Sequence, residues 1–99
     1  MIAKKLSPKG KSVRVNFELP ADVAADSVAI VGDFNEWDEA KDLMKLNTKK
    51  GAWTKGISFK PGDTLEFRYL VDGKEWRNDE AADAYVPNPY WSENSVVEL

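Results

Sequence analysis

The sequence predicts an all-β domain, an immunoglobulin-like β-sandwich of about seven short antiparallel strands. Three observations predict this fold class. Apolar and polar residues alternate over several short stretches, which is the period-2 pattern of half-buried strands. Turn-forming residues recur about every eight to twelve positions, and no stretch shows a convincing helical period. The chain has 99 residues and no cysteine, so its core forms without disulfides.

The order of the strands follows from the alternation along the chain. Strands are predicted over residues 12–19, 28–31, 43–46, 53–59, 65–71 and 94–99. Asp72-Gly73 is a strong signal for a type I′ hairpin turn, so Trp76 lies on the returning side as a seventh strand. Residues 21–25 allow one helical turn, and residues 78–89 are predicted as a long ordered loop.

The charge distribution divides the chain in two. Residues 1–11 are predicted as a flexible basic arm, and residues 12–99 as one β-sandwich domain. The net charge is −3, but the first fourteen residues carry +5 and the remaining 85 carry −8. An acidic body argues against nucleic-acid binding. For the arm, contact with an anionic partner is the alternative to a frayed, solvated terminus.

The composition and the motifs exclude several kinds of site. Histidine and cysteine are both absent, which removes the commonest general base and all thiolate chemistry. Asp33-Phe34-Asn35 begins like a calcium loop, but Asp38 and Met44 stand where that loop needs glycine and glutamate. We therefore expect no metal and no cofactor. Because the sequence shows neither a membrane span nor a secretory signal, we expect a cytoplasmic protein.

Alternation also divides the aromatic residues into two groups. Rings at the apolar positions of strands are assigned to the core, namely Phe17, Trp53, Phe59, Phe67 and Tyr69. Four rings fall outside these positions, among polar residues, namely Trp37, Trp76, Tyr90 and Trp91. Four large rings outside the core indicate a binding platform at the surface.

Trp37 is the most informative of these rings, because it follows the turn formers Gly32 and Asp33 and stands among carboxylates. Binding residues concentrate on loops held by a rigid scaffold, so we expect its ring to be exposed, with Phe34 anchoring the loop to the core. The alternative for Trp37 is packing within the loop. The alternative for Trp76 is capping the edge of the sandwich.

Two polar residues are expected beside these rings. Arg68 alternates with Phe67 and Tyr69, so its side chain faces away from the core, as a hydroxyl donor or as one partner of a cross-strand ion pair. Asn94 begins the last strand and can both donate and accept, although it can also satisfy backbone groups there. Aromatic rings, a guanidinium and an amide suit a sugar, which has apolar ring faces and a rim of hydroxyls.

Three segments in this order, GDFNEWD, FRYLVDGKEWRND and YVPNPYWSENSVVEL, resemble the family 48 carbohydrate-binding modules. That family includes the glycogen-binding domain of AMP-activated protein kinase β subunits and the N-terminal modules of isoamylases and branching enzymes. The similarity runs from about Ser12 to Leu99. Three motifs with comparable spacing form a more specific signal than any one of them alone.

The resemblance implies an immunoglobulin-like sandwich that binds α-1,4-glucan through two tryptophans, a lysine, a leucine and an asparagine. Trp37 and Trp76 match the tryptophans and Asn94 matches the asparagine. Arg68 stands at the lysine position. Tyr90 stands at the leucine position, where Trp91 is the alternative ring, and one extra residue separates Gly73 from Trp76.

The sequence therefore predicts a stand-alone, non-catalytic module that binds glycogen, starch or maltooligosaccharide. A glycogen-metabolism enzyme is a further expected partner. The alternative is a protein-interaction module of the same fold, used for partner recruitment or self-association without sugar binding. An enzyme is not expected, because glycoside hydrolysis needs two carboxylates across a desolvated cleft, and the acids here lie in solvated turns.

Overall fold

A computed structural model describes residues 2–7, 9–88 and 92–99 of the chain, and these residues form an all-β sandwich. Its strands are β1 (Ile2–Leu6), β2 (Val13–Pro20), β3 (Val28–Gly32), β4 (Lys45–Asn47), β5 (Ala52–Phe59), β6 (Thr64–Val71), β7 (Glu75–Arg77), β8 (Ala84–Pro87) and β9 (Glu93–Glu98). Short 3₁₀ turns cover Ala21–Val23 and Asp33–Asn35. Among the described residues, no helix reaches the length and apolarity that crossing a membrane requires.

The strands form two antiparallel sheets. The first sheet has the order β1-β2-β5-β4. The second sheet has the order β3-β6-β9-β8, with β7 also paired to β6. The predicted fold class, an all-β sandwich, is confirmed. Because β-strands place alternate side chains on opposite faces, each sheet has one face towards the core and one outer face.

Two of the strands differ from the sequence-based expectations. β8 lies within the stretch predicted as a long loop, where Pro87 and mixed polarity weaken the strand signal. It pairs only with β9 on the sheet path, and proline is tolerated on such an edge strand. β1 lies within the predicted flexible arm, yet it pairs with β2 over its whole length, from Ile2 opposite Phe17 to Leu6 opposite Val13.

The pairing of β1 has a clear physical basis that local composition does not show. The Lys4 ammonium bonds the Asp83 carboxylate and donates to the Glu98 carbonyl at 2.9 Å, so a residue of the first sheet is tied to the second. A short strand rich in lysine is also suited to an exposed sheet edge. The domain boundary at residue 12 stays a prediction.

The core contains the aromatic residues that alternation assigns to it. Phe17 and Phe67 meet edge to face with ring centroids 5.1 Å apart, and Phe67 meets Tyr69 in the same way at 5.4 Å. Trp53 is buried, and Phe59 is half-buried against the same cluster. Fully burying one large apolar side chain contributes about 1.5–3 kcal/mol, so these rings dominate the packing energy.

A buried polar network ties residues 78–83 to this core. Asp79 is buried, and its carboxylate accepts from the Tyr69 hydroxyl at 2.6 Å and, locally, from the Ala81 N–H at 2.7 Å. The Asp79 N–H in turn donates to the Ser95 hydroxyl at 3.0 Å. Burial and the adjacent Asp79 charge raise the pKa of Tyr69 far above its usual range. The loop is therefore held by long-range bonds as well as by the local ones that its sequence predicts.

A candidate binding groove on the second sheet

The candidate site is built on the outer face of the second sheet. Phe67 and Tyr69 of β6 face the core, so Arg68 and Leu70 face outward. Trp76 of β7 lies directly opposite Leu70, and directly paired residues share one face of a sheet. This register brings Trp76 to the same face as Arg68. The guanidinium carbon of Arg68 accordingly lies 5.7 Å from the centre of the indole ring.

The loop that carries Trp37 leaves the end of β3 at a very close approach to β6. A Cβ on Gly32 would lie 2.5 Å from the Glu66 carbonyl oxygen and 2.9 Å from the Phe67 Cβ, so only glycine fits there. Glu36 and Trp37 both adopt left-handed backbone conformations, with φ of 59° and 58°. Two consecutive left-handed residues reverse the chain sharply, and this leaves the Trp37 ring 40% exposed.

Asn35 holds this strained loop in place. Its side chain is buried and accepts from the Gly32 N–H at 3.0 Å. Its amide nitrogen donates to the Ile30 carbonyl at 2.9 Å and to the Asp42 carboxylate at 2.8 Å. Phe34 packs edge to face on Phe59 at 5.2 Å, which confirms it as the anchor of the loop to the core.

One open groove brings together four of the five residues that the sequence predicts for a site. Trp37, Arg68, Trp76 and Asn94 all line this groove, whose volume is about 870 Å³. Trp76 is 39% exposed, nearly the same fraction as Trp37. Tyr90, the fifth predicted residue, and its alternative Trp91 lie outside the described residues. The volume lies in the range typical of small-molecule sites.

Arg68 does not form a cross-strand ion pair with a described carboxylate, which was the alternative to a role as a hydroxyl donor. The structure records no ion pair between Arg68 and a described carboxylate, and its buried Nε atom has no hydrogen-bond partner among the described residues. Burial lowers the pKa of Arg68, although an arginine side chain stays charged near neutral pH. The Arg68 side chain therefore lines the groove without a carboxylate partner among the described residues.

Asn94 is nearly buried and takes part in a chain of side-chain hydrogen bonds. Its oxygen accepts from the Asn88 amide nitrogen at 3.1 Å, and its nitrogen donates to the Glu66 carboxylate at 3.4 Å. Asn88 in turn accepts from the Ser92 N–H at 3.3 Å. The recorded partners of the Asn94 side chain are therefore side chains that line the groove, and not the backbone groups of its strand.

Sequence reasoning missed four further groove residues, namely Asp33, Glu39, Glu66 and Asn88. One signal was available for Glu66, because it lies two residues before Arg68 on the same strand and therefore on the same outer face. Asp33 also contacts β6, since its carboxylate accepts from the Glu66 N–H at 3.2 Å. Burial raises the pKa of Asp33 and the nearby Glu66 charge adds to this, while the Glu66 N–H acts in the opposite direction. No pattern in the sequence pointed to Glu39 or Asn88.

The described residues contain no group of three acidic, histidine or cysteine side chains that could hold a metal ion. The groove therefore offers aromatic faces, one guanidinium, amides and carboxylates. These groups bind by stacking and by hydrogen bonding.

Comparison with known proteins gives one family. The profile described as the glycogen recognition site of AMP-activated protein kinase matches residues 13–97. This range covers both sheets except for β1 and Glu98, the last residue of β9. All the residues placed around the groove lie within this match. A search of curated proteins found no match to the chain.

Proposed function

The chain belongs to the family of the glycogen recognition site of AMP-activated protein kinase, and on this premise we propose that it is a non-catalytic module that binds α-1,4-glucan. Glycogen, starch and maltooligosaccharides are the ligands in this class. The observation that carries the proposal is the convergence of Trp37 and Trp76, both about two-fifths exposed, with Arg68 and Asn94 around one groove.

The two tryptophans would supply stacking surfaces for glucose rings. A glucose ring has an apolar face of C–H groups, and a half-exposed indole presents a flat apolar face of matching size. The Arg68 guanidinium lies over the Trp76 ring, 5.7 Å from its centre, and this contact restrains the ring before the sugar arrives. Rings that are already ordered lose little conformational entropy on binding.

The polar groups of the groove would form hydrogen bonds with the hydroxyls at the rim of the sugar. Arg68 lines the groove and its guanidinium carries several N–H donors, and Asn94 offers an amide whose recorded bonds leave capacity at both its oxygen and its nitrogen. In this proposal Tyr90 completes the surface that faces the glucose rings. Because the groove is open and has few polar contacts, we expect affinities of roughly 10 µM to 1 mM, or about 4–7 kcal/mol.

A thermal-shift titration with maltoheptaose tests the proposal. With a Kd near 100 µM, about 10 mM sugar stabilises the folded state by about 2.7 kcal/mol and raises Tm by several degrees. Trp37→Ala removes one stacking face and should weaken binding about 30-fold, as expected for an aromatic residue that contributes about 2 kcal/mol. The sugar should be recovered uncleaved after the titration.

Leu46→Ala is the matched control, because Leu46 is also a large exposed apolar residue but lies on β4 of the first sheet. It should leave the sugar-dependent shift unchanged. No shift of the wild-type protein at millimolar maltoheptaose would contradict glucan binding. Concentration-dependent sedimentation that is insensitive to sugar would then favour the alternative, a protein-interaction module. Recruitment of a glycogen-metabolism enzyme stays a prediction.

A further inference from the structure

The charges that line the groove are unevenly balanced. Three carboxylates, from Asp33, Glu39 and Glu66, face a single cation, Arg68, among the described lining residues. The Arg68 guanidinium lies beside the Trp76 ring and not in an ion pair with any described carboxylate. The groove therefore carries an excess of negative charge.

The distribution of charge along the chain reinforces this imbalance. Residues 2–20 and 45–60, which contain the strands of the first sheet, hold ten of the fourteen lysines and arginines and one acid, Glu18. They carry a formal charge of +9, and the remainder of the chain, which contains the second sheet, carries −12. The groove opens within this acidic part of the chain, and surface charge of one sign shifts the potential of a cleft within it.

Glu66 is the carboxylate of the groove that bonds Asn94. It lies two residues before Arg68 on the outer face of β6, and its carboxylate accepts from the Asn94 amide at 3.4 Å. An ionised carboxylate can only accept, so Asn94 has to present its nitrogen to Glu66 and its oxygen to Asn88. Glu66 accepts at one end of this hydrogen-bond chain, and the Ser92 N–H donates to Asn88 at the other end.

This arrangement suits a hydroxyl and not an anion. A sugar hydroxyl both donates and accepts, so it can donate to a carboxylate such as Glu66 while it accepts from Asn94 or Arg68. A phosphate oxygen mainly accepts, and its charge has the same sign as the three carboxylates. Arg68 alone would attract it, but the three carboxylates would repel it, and like charges brought together at a binding surface disfavour binding.

We propose that the groove selects uncharged α-glucan over chains that carry phosphate monoesters, with Glu66 as the residue that determines this specificity. The inference rests on the proposed glucan-binding function and adds the class of glucan that the same groove accepts. Asp33 and Glu39 contribute to the same field, and Glu66 also orients the amide of Asn94.

The test compares two ligands by titration calorimetry, namely maltoheptaose and maltoheptaose with one phosphate monoester on a 6-hydroxyl. The measured quantity is the ratio of their dissociation constants at low ionic strength. We expect the wild-type protein to prefer the uncharged sugar about tenfold, and the preference to shrink in about 0.5 M salt, where the Debye length falls towards 3 Å. A role of Glu66 in folding alone would weaken both ligands equally and leave this ratio unchanged.

Three variants locate the effect. Glu66→Gln should lower the ratio about threefold, because it removes the charge and keeps the shape. Glu39→Gln removes a groove charge from a different segment and should lower the ratio too, which provides a second measurement if Glu66→Gln does not fold. Glu80→Gln, in the exposed loop outside the groove, should leave the ratio unchanged.

Each other outcome has a distinct meaning. If neither sugar binds the wild-type protein, the proposed function fails, and this inference fails with it. If maltoheptaose binds but the phosphorylated sugar binds equally or more tightly, glucan binding stands, and the selectivity for uncharged chains is wrong. If Glu66→Gln weakens both ligands in the same proportion, Glu66 does not determine specificity.

Discussion

At the scale of single residues, the position of Trp37 depends on neighbours that never touch a ligand. Gly32 permits the close approach of β3 to β6, and Asn35 saturates the backbone groups that the reversed loop leaves open. These bonds, together with the Trp37 N–H that donates to the Gly32 carbonyl at 2.8 Å, offset the strain of the left-handed conformations of Glu36 and Trp37. The buried side-chain amide of Asn35 therefore fixes the loop that carries the exposed Trp37 ring.

Asn35→Ala should destabilise the fold by about 2–3 kcal/mol, because it leaves a buried N–H and a buried carbonyl without partners. Urea denaturation measures the free energy of unfolding, and a maltoheptaose titration measures the effect on the Trp37 loop, which should also weaken. Asn16→Ala is the matched control on the outer face of the first sheet, where an exposed side chain is replaced. It should change stability by less than about 0.5 kcal/mol. Equal effects of the two variants would contradict the role given to Asn35.

At the scale of structural elements, the β6–β7 hairpin positions both Arg68 and Trp76. Its turn has positive φ at Asp72 and Gly73, and the Lys74 N–H donates to the Val71 carbonyl at 3.0 Å, as the predicted type I′ turn requires. The Asp72 carboxylate also accepts from the Asp26 N–H at 2.7 Å and from the Ser27 N–H at 3.0 Å. The turn therefore also fastens the connection that leads into β3.

These backbone hydrogen bonds hold the pKa of Asp72 below its ordinary value of 3.8. A carboxyl group whose pKa is lower in the folded state stabilises the fold above its unfolded pKa, and this contribution is lost as the pH falls through the folded value. Asp72→Asn should therefore lower Tm at neutral pH, and the difference from wild type should shrink progressively below about pH 4.

Thermal unfolding of both proteins between pH 7 and pH 3 measures this dependence. Asp22→Asn, in the exposed 3₁₀ turn of the same connection, is the matched control and should show no such trend. A Tm difference between Asp72→Asn and wild type that stays constant with pH would contradict the assignment.

At the scale of the whole molecule, positive charge is concentrated in the segments that contain the first sheet, and negative charge in the rest of the chain. The shortest dimension of the sandwich is 22 Å, about twice the Debye length of roughly 10 Å at 0.1 M salt. At that ionic strength, each outer face therefore interacts with its surroundings largely on its own. Glucan bound in the proposed groove on the second sheet would leave the first sheet accessible.

We expect the protein to be retained at pH 7 by both an anion-exchange and a cation-exchange resin in about 50–100 mM salt, despite its net charge of −3. The double variant Lys5→Glu and Arg14→Glu, on the first sheet, should elute from the cation exchanger at clearly lower salt. Lys74→Glu, beyond the second sheet's hairpin turn, is the control and should shift that elution much less. Identical elution of all three proteins would contradict independent faces.

Much of the fold could be predicted because alternation reports burial directly. The stretches around β2, β5 and β6 are predicted from apolar residues at every second position, and β3 from a short apolar run. The Asp72-Gly73 turn is predicted from the need for positive φ. β8 was not recognised, because Pro87 and its mixed polarity conceal a strand that is defined by its pairing with β9. β1 is not predicted, because its lysines are also typical of a solvated chain terminus.

The sequence by itself determined the all-β class, the aromatic core and the family, because these depend on local period, turn chemistry and motif order. It also pointed to Trp37, Arg68, Trp76 and Asn94. Only the tertiary structure decided that these four residues line one groove and that Asp33, Glu39, Glu66 and Asn88 join them. It also decided that the basic segments 2–20 and 45–60 meet in one sheet. The physical reason is that strand pairing joins positions far apart in the chain, and the period of a single strand carries no information about its neighbour.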